Sequence, residues 1–221
     1  MKPPSSAKKF VFSRRKPDIP SCLAPVDPAI VSTGRDISVS ERSLEEVRID
    51  TQNGGTLHME ASVLERVVLA NCTFGSIVLK DVRLTGCDLA NLQTRALSLT
   101  RVEFVNCRMT GLRAGEADCR DVLMEEGDQR YAQFRYAKFR SAEFDSCNFE
   151  EADFQGADLT GSIFRKCNLR NAEMSKVKLM NADLRGSAVE SLHLNAEDVR
   201  GAVVDLSQAM IFAPLLGIRI E

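Results

Sequence analysis

Apolar residues recur at every fifth position through most of the chain. From residue 62 to residue 206, a bulky apolar residue lies at the centre of nearly every five-residue unit, and a small or apolar residue lies two positions before it. An α-helix would place apolar residues three and four apart, and a β-strand would place them at every second position. Because neither regular element explains a period of five, the pattern predicts a backbone that turns a corner in every unit.

The register of these units does not slip over the whole span. The central residues are Leu64, Leu69, Phe74, Leu79, Leu84, Leu89, Leu99, Phe104, Met109, Phe134, Phe139, Phe144, Phe149, Phe154, Leu159, Phe164, Leu169, Met174, Leu179, Leu184, Val189, Leu194, Val199 and Val204. Bulky central residues and small residues two positions earlier can together fill a narrow tube at the density of a protein interior. A repeat at one fixed period indicates a solenoid rather than a globular domain.

Several units read Ala-Asp-Phe, Ala-Asp-Leu or Cys-Asn-Leu, at 152–154, 157–159, 167–169 and 182–184. These units resemble the consensus of the pentapeptide-repeat family. The resemblance implies an all-β fold, a right-handed quadrilateral β-helix in which four units form one coil and twenty residues return the chain to the same face. Cys87, Cys107, Cys147 and Cys167, which are separated by multiples of twenty, agree with this coil length. At the usual strand spacing, seven coils would form a rod of roughly 34 Å.

The solenoid is predicted over residues 37–206, with clear repeats from 62, and it weakens between 110 and 131. There Ala114, Cys119 and Gln129 take central positions, and Gly127 replaces the small inward residue. Two interpretations stay open. The segment is either a deformable or partner-contacting belt, or a stretch of sequence drift that a repeat protein tolerates.

The two ends differ from the repeat. Residues 1–36 contain most of the prolines and an excess of Lys and Arg, which predicts a flexible basic tail. Residues 207–221 predict a cap made of a helix over 208–216 with Ser207 as N-cap, an end at Gly217 and a strand over 218–220. Similar C-terminal segments mediate dimerisation in the family. The resemblance therefore implies a homodimer, with a candidate interface formed by Met210, Ile211, Phe212, Leu215 and Leu216.

Composition narrows the possible functions. The 221 residues carry 29 basic and 31 acidic side chains, so no overall field marks a general nucleic-acid binder, and direct contact with nucleic acid is expected only through the basic tail. No apolar run is long enough to span a bilayer, and no signal peptide is recognisable, which predicts a cytoplasmic protein without membrane contact. The chain lacks nucleophile motifs, phosphate-binding glycine loops and metal-ligand spacings, so we expect no catalytic residues, no metal and no cofactor.

Two hypotheses about the partner remain. In the first, the rod is a structural or protein-interaction module that recruits another macromolecule along a flat face. In the second, it resembles the Qnr and MfpA-like members that mimic duplex DNA in a type II topoisomerase such as DNA gyrase and give fluoroquinolone or toxin protection. The net charge of −3 over 62–206 is weak for such mimicry. The candidate surrogate phosphates form an acidic strip of Glu103, Glu125, Glu126, Glu143, Asp145, Glu150 and Glu151.

Overall fold

A computed structural model describes residues 13–27, 31, 36–50 and 54–220. Its strands are β1 (Ala24–Pro25), β2 (Ile37–Ser40), β3 (Arg42–Glu45), β4 (Gly55–Glu65), β5 (Thr73–Thr85), β6 (Gln93–Val105), β7 (Asp118–Glu125), β8 (Lys138–Arg140), β9 (Glu143–Asp145) and β10 (Ile163–Arg165). They form one parallel sheet in the order β1-β3-β4-β5-β6-β7-β9-β10, and β2 and β8 pair with β4 and β7. The chain then ends in helix α1 (Leu206–Phe212) and a 3₁₀ helix (Ala213–Leu216). Within these described ranges, no helix is both long and apolar enough to cross a membrane.

Apart from the pairing of β1 and the first residue of β4, the strand pairings relate a residue to the one twenty positions further on. Leu64 lies beside Leu84, and the ladder continues through Phe104, Met124, Phe144 and Phe164. Isolated bridges carry the same spacing into the segments between strands, for example from Asp128 to Asn148 and on to Asn168. The predicted fold class, an all-β right-handed quadrilateral β-helix with a short C-terminal helix, is confirmed, with about seven turns.

The residues at the corners of the coils have a left-handed backbone conformation. Every fifth residue from Arg101 to Ser191 has a positive φ, between 51° and 75°. Each of these corner residues lies two positions after a central residue, and most of them are not glycine. A left-handed conformation is unfavourable for residues with a Cβ, so the backbone hydrogen bonds between coils must compensate for it. One such residue per unit turns the chain and produces the period of five.

The interior of the rod is filled by the predicted central residues. Four phenylalanines fill one coil, and neighbouring rings meet edge to face with centroids 5.3–5.5 Å apart, as between Phe144 and Phe149 or between Phe149 and Phe154. Rings in successive coils stack, with 4.6 Å between the centroids of Phe144 and Phe164. Both arrangements are favourable for aromatic pairs, which bury large apolar areas.

The weak segment of the repeat keeps the coil geometry without an inserted loop. Gln129 is completely buried at a central position, and neither its Nε2 nor its Oε1 has a hydrogen-bond partner among the described residues. Its amide occupies the space that a side chain at residue 127 would need, since a Cβ added to Gly127 would lie 2.0 Å from Gln129 Nε2. Gly127 therefore leaves the space that the larger Gln129 side chain fills, and the two departures from the repeat compensate for each other.

Helix α1 closes the C-terminal end of the rod through one side chain. In the preceding coils, the carbonyl of a small inward residue accepts a backbone N–H from 21 residues further on, as Ala157 O does from Lys178 N at 2.9 Å. At the last coil, Ser187 O accepts instead from the side-chain Nε2 of Gln208 at 2.7 Å. The same Nε2 donates to Leu184 O at 2.6 Å. Gln208 thus satisfies the Ser187 carbonyl, which the backbone of a further coil would have bound, as a buried chain end requires.

The cap differs from its prediction in three details. The predicted helix over 208–216 begins at Leu206 and is α-helical only to Phe212, and Ala213–Leu216 form a 3₁₀ helix. Asp205, rather than Ser207, is the N-cap, because its carboxylate accepts the Gln208 N–H at 3.0 Å and also binds Gly186 N at 3.0 Å on the preceding coil. Gly217 ends the 3₁₀ helix with a φ of 73°, as predicted, but residues 218–220 form no strand. Instead the N–H of Ile218 donates to Ala213 O at 3.1 Å, in the turn that ends the 3₁₀ helix.

We expect the effect of Gly127→Ala on the free energy of unfolding to have opposite signs in chains with Gln and with Leu at position 129. In the wild-type chain the new methyl group would collide with the Gln129 amide and lower the free energy of unfolding. In a Gln129→Leu chain the same methyl group would fill the space left by the amide and raise the free energy of unfolding. The two substitutions should therefore show a coupling energy of about 1–3 kcal/mol. Chemical denaturation of the four chains measures this coupling, and an equal effect of Gly127→Ala in both backgrounds would contradict it.

A second prediction concerns the pH dependence of the cap. Hydrogen bonds from the Ser207 hydroxyl and from the backbone N–H groups of Gln208 and Gly186 lower the pKa of Asp205 from 3.8 to about 2. Because the folded pKa is depressed, the stabilisation is complete above about pH 4 and is lost as the pH falls through about 2.

The conservative variant Asp205→Asn keeps an acceptor but does not titrate. Thermal unfolding should show the wild-type chain with the higher Tm at pH 7 and a difference that disappears by about pH 2. A Tm difference that stayed constant over this range would show that the Asp205 charge does not stabilise the cap.

Candidate functional site

Most of the predicted acidic strip lies on one outer face of the rod. Glu125 and Asp145 are direct neighbours on β7 and β9, and Glu126 donates its backbone N–H to Asp145 O at 2.9 Å. Glu143 lies on the same face, beside Leu123. Glu150 and Glu151 follow the next central residue and therefore lie on the adjoining face. The twenty-residue coil brings these acids together although up to 26 residues separate them in the sequence.

Glu103 does not share the exposure of the other acids. Its side chain is only 5% exposed, and it accepts hydrogen bonds from Arg14 Nη2 and Arg83 Nε, both at 2.9 Å. Burial alone would raise the pKa of Glu103, but these hydrogen bonds outweigh it and the pKa lies below the ordinary value. Glu103 is therefore a buried, doubly paired carboxylate and offers no charge to a partner in this conformation.

Five of the predicted acids remain without an ion pair to any described residue. We call them the acidic patch, and its members are Glu125, Glu126, Asp145, Glu150 and Glu151. Glu143 is excluded because Arg165 lies 3.6 Å from its carboxylate. The acidic patch therefore retains its negative charge at the outer surface.

Many other charges on the rod pair across neighbouring coils. Arg108 binds Asp88 with 2.7 Å between Nη2 and Oδ2, and Arg170 lies 3.1 Å from Glu190. In each pair the two residues are twenty positions apart, which is the spacing of one coil. Exposed pairs of this kind contribute little stability, but they cancel much of the local field. The acidic patch differs from this background because its unpaired acids lie close together on adjoining faces of the rod.

A second charged surface lies beneath the N-terminal arm, residues 13–27. Asp81, Arg101 and Asp121 are corner residues of three successive coils. Asp81 accepts two hydrogen bonds from Arg101, at 2.5 and 2.6 Å. Both carboxylates are buried beneath the arm, with 5% of Asp81 and 7% of Asp121 exposed.

The arm binds this corner mainly through its backbone. The N–H of Arg15 donates to Asp121 Oδ1 at 3.1 Å, and the N–H of Asp18 donates to Asp81 Oδ1 at 2.9 Å. Burial alone would raise the pKa of Asp81, but hydrogen bonds from Arg101 and from the Asp18 N–H lower it below its ordinary value. The arm then continues to β1, which pairs with β3 beside the first coil.

This contact differs from the flexible tail predicted for residues 1–36. Prolines and basic residues indicate disorder when they have nothing to bind, but here buried carboxylates of the rod bind the arm. The signal in the sequence would have been Asp81 and Asp121, two acids at corner positions forty residues apart. Residues 1–12, 28–30 and 32–35 of the predicted tail lie outside the described residues.

The five residues of the candidate dimer interface differ in exposure. Phe212 is 6% exposed and packs against the core of the rod, so it is not available to a partner. Met210, Ile211, Leu215 and Leu216 are exposed, as are three apolar residues that sequence reasoning did not include. We call the exposed set the C-terminal apolar surface, and it consists of Leu206, Met210, Ile211, Leu215, Leu216, Ile218 and Ile220.

The cysteine ladder is part of the interior. Cys87, Cys107, Cys147 and Cys167 are buried, and their thiols donate to carbonyl oxygens, for example from Cys147 Sγ to Met124 O at 3.2 Å. Burial also raises the pKa of the Cys119 thiol. Among the residues that the structure describes, no group of three or more His, Cys, Asp and Glu side chains is placed to hold a metal ion.

Comparison with known proteins gives one family match and several related structures. The family model for the pentapeptide repeat region matches residues 77–154 and, in an overlapping placement, 97–174. No curated protein sequence matches the chain. Trypsin-treated QnrB1, a plasmid-mediated fluoroquinolone resistance protein, is 16% identical, with 83% of this chain and 99% of that chain covered and a TM-score of 0.38.

Two cyanobacterial proteins are also similar. HetL from Nostoc, a pentapeptide repeat protein involved in heterocyst differentiation regulation, is 18% identical over 80% of this chain and 91% of that chain, with a TM-score of 0.32. Rfr23 from Cyanothece, another pentapeptide repeat protein, is 17% identical over 56% of this chain and 88% of that chain, with a TM-score of 0.28. The match to the family model, the five-residue units and the twenty-residue coils together identify residues 77–174 of this chain as a pentapeptide-repeat region.

Proposed function

We propose that this protein is a non-enzymatic, cytoplasmic interaction module that binds another protein through the outer faces of its rod, with the acidic patch as the contact. The observation that carries the proposal is the absence of ion pairs at the acidic patch among the described residues, on a rod where many other charges are paired. Unpaired exposed carboxylates can bind a basic surface without first breaking an internal pair. They also increase the rate of association with a basic partner.

The flat shape of the rod supports the same proposal. Its faces are built from regular five-residue units, and the described part of the chain has no loop projecting from the coils between residues 54 and 205. A regular β face presents side chains at fixed spacings along the rod and is suited to contact with an extended surface. Such a face has no enclosed pocket of the kind that orients a substrate, which favours binding over catalysis.

A second candidate is mimicry of DNA toward a type II topoisomerase such as DNA gyrase. The acidic patch favours it, since carboxylates at regular spacing can replace phosphates. Two observations weaken it: Glu103 is buried, and Arg165 is the coil neighbour of Asp145 within the same face. For these reasons we rank it second.

A patch variant carrying Glu125→Gln, Glu126→Gln and Glu151→Gln tests whether the acidic patch is the contact. A matched control carries Glu41→Gln, Glu116→Gln and Glu197→Gln, which removes the same number of negative charges elsewhere on the chain. Partners recovered from a lysate should bind the wild-type chain and the control alike. They should bind the patch variant about tenfold more weakly, since each exposed charge contact contributes about 0.5 kcal/mol. Equal recovery by all three chains would refute the acidic patch as the contact.

A DNA gyrase supercoiling assay, with and without a fluoroquinolone, tests the second candidate on the same three chains. Inhibition or drug protection by the wild-type chain and the control, lost in the patch variant, would establish DNA mimicry. If the wild-type chain has no effect over a wide concentration range, gyrase is not the target. The recovery of partners from a lysate then decides whether the first candidate is correct.

We further propose that the protein forms a homodimer through the C-terminal apolar surface. Seven large apolar side chains between 38% and 79% exposed at one end of the rod are more than a soluble surface usually presents in one place. A self-complementary contact between two copies would cover them with the symmetry that most homodimers have.

Sedimentation of the wild-type chain should show a dimer that Leu216→Asp dissociates. The buried charge would lack a partner in the interface, so the dissociation constant should rise by about tenfold or more. Tyr131→Asp is the matched control, since Tyr131 is also an exposed large side chain but lies on the rod. A wild-type chain that stays monomeric at high concentration, or a control that dissociates equally, would refute this interface.

A further inference from the structure

The corner beneath the N-terminal arm has the properties of a peptide-binding site. We call it the corner groove, and it consists of Asp81, Arg101, Asp121 and Glu103. The first three residues lie one coil apart along the rod, and Glu103 lies beside them on the adjoining face. Three of the four are carboxylates that are no more than 7% exposed, and the arm binds each of them. The charges of the corner groove therefore have a bound ligand, which is a segment of the same chain.

The spacing of the corner groove matches an extended peptide. Asp81 and Asp121 are two coils apart, which corresponds to about 9.6 Å along the rod. Three residues of extended chain span about 10 Å, so the N–H groups of residues n and n+3 can reach both carboxylates. In the arm these residues are Arg15 and Asp18. Because nearly every residue carries a backbone N–H, this part of the recognition does not require a particular sequence.

Arginine supplies the selective part of the recognition. The Arg14 side chain, 8% exposed, reaches the Glu103 carboxylate at 2.9 Å, while Arg83 binds the other oxygen of the same carboxylate at 2.8 Å. Because Arg83 binds only Oε2 of Glu103, a ligand that reaches Oε1 meets a carboxylate, which favours a guanidinium over a neutral side chain. The ligand chemistry is therefore an extended peptide with an arginine immediately before the first bound N–H.

The contact between the arm and the corner groove leaves one polar atom of the arm unsatisfied. Arg14 Nε is buried and has no hydrogen-bond partner among the described residues. Residues 13–20 form no regular secondary structure, and the side chains of Arg15, Lys16 and Asp18 are exposed to solvent. Two backbone hydrogen bonds and one ion pair join this segment to the corner groove. A ligand held by so few contacts can be replaced by a peptide that makes the same contacts.

We propose that the corner groove is a binding site for an extended, arginine-containing peptide of another protein, and that residues 13–19 occupy it as a competing ligand from the same chain. The arm has a high effective concentration at the groove, so it lowers the apparent affinity for the incoming peptide. Release of the arm frees its basic residues at the same time. This site is separate from the acidic patch and stands or falls independently of the function proposed above.

The test uses the full chain and a fluorescent peptide with the sequence of residues 13–20, Ser-Arg-Arg-Lys-Pro-Asp-Ile-Pro. An Arg14→Ala chain weakens the arm but keeps Glu103 paired with Arg83. Fluorescence anisotropy should show the peptide binding this chain about tenfold more tightly than the wild-type chain, in which the intact arm competes. Adding Glu103→Gln to the Arg14→Ala chain should weaken peptide binding by about tenfold or more, because the charged acceptor is lost.

Two controls distinguish binding at Glu103 from non-specific attraction between the basic peptide and an acidic surface. A peptide with alanine in place of its first arginine should bind the Arg14→Ala chain about tenfold more weakly. Adding Glu125→Gln and Glu126→Gln to the Arg14→Ala chain should leave peptide binding unchanged, since these residues belong to the acidic patch. Peptide binding that depended on the acidic patch instead of Glu103 would overturn the assignment.

Displacement can be observed directly in the wild-type chain. In a ¹⁵N-labelled protein, excess unlabelled peptide should shift the amide signals of Arg15 and Asp18 to the positions of a free segment. The proposal fails if the peptide binds none of these chains, because the arm is then a permanent structural strap. It also fails if Arg14→Ala converts a dimer into monomers, because the arm then serves a second copy of the chain.

Discussion

The backbone hydrogen bonds between coils are the interaction on which the rest of the structure depends. Each coil binds the next through N–H and C=O groups that repeat every twenty residues, and these bonds hold a left-handed residue at every corner. Without them, corner residues such as Tyr131 or Lys166 would return to more favourable conformations and the chain would lose its coil. The same ladder stacks the phenylalanine rings and places opposite charges beside each other. Local strain is thus tolerated because a long-range periodic contact offsets it.

The sequence was sufficient to predict the solenoid because its strongest signal, the inward-facing residues, comes from packing. Central residues such as Phe144 and small residues such as Ala142 are restricted by the space inside the tube, so their types are uniform and the period is visible. Corner residues are not restricted in this way. Tyr, Glu, Lys, Ser and Gly all occur there, so the left-handed corners could not be read from residue type. The Gly127 and Gln129 pair was visible as a lapse, but its complementary fit is a property of the folded coil.

The candidate surfaces were predictable only in part. The twenty-residue coil was enough to bring Glu125 and Asp145 together and to place Glu150 on the adjoining face. It could not show that Glu103 is buried, because the covering residue, Arg14, lies 89 positions away in a segment without the repeat. The prediction that Phe212 lies in the dimer interface was wrong for a similar reason. One helix carries both the residues that close the rod and those that face outward, and the repeat does not distinguish them. Contacts between residues twenty positions apart can be predicted from the repeat. Contacts made by segments without the repeat can be found only in a structure.

The cross-coil ion pairs have a consequence for how such a chain can change length. Arg108 and Asp88, like the stacked rings of Phe144 and Phe164, relate residue n to residue n+20. Duplication or loss of one complete coil preserves the inward register of the remaining units, whereas a single-residue insertion shifts inward residues to the outside for the remainder of the unit. Gene rearrangements can therefore lengthen or shorten the rod in whole-coil steps of about 4.8 Å. Whole coils added or lost between residues 122 and 205 would in this way change the distance between the corner groove and the C-terminal apolar surface and leave both intact.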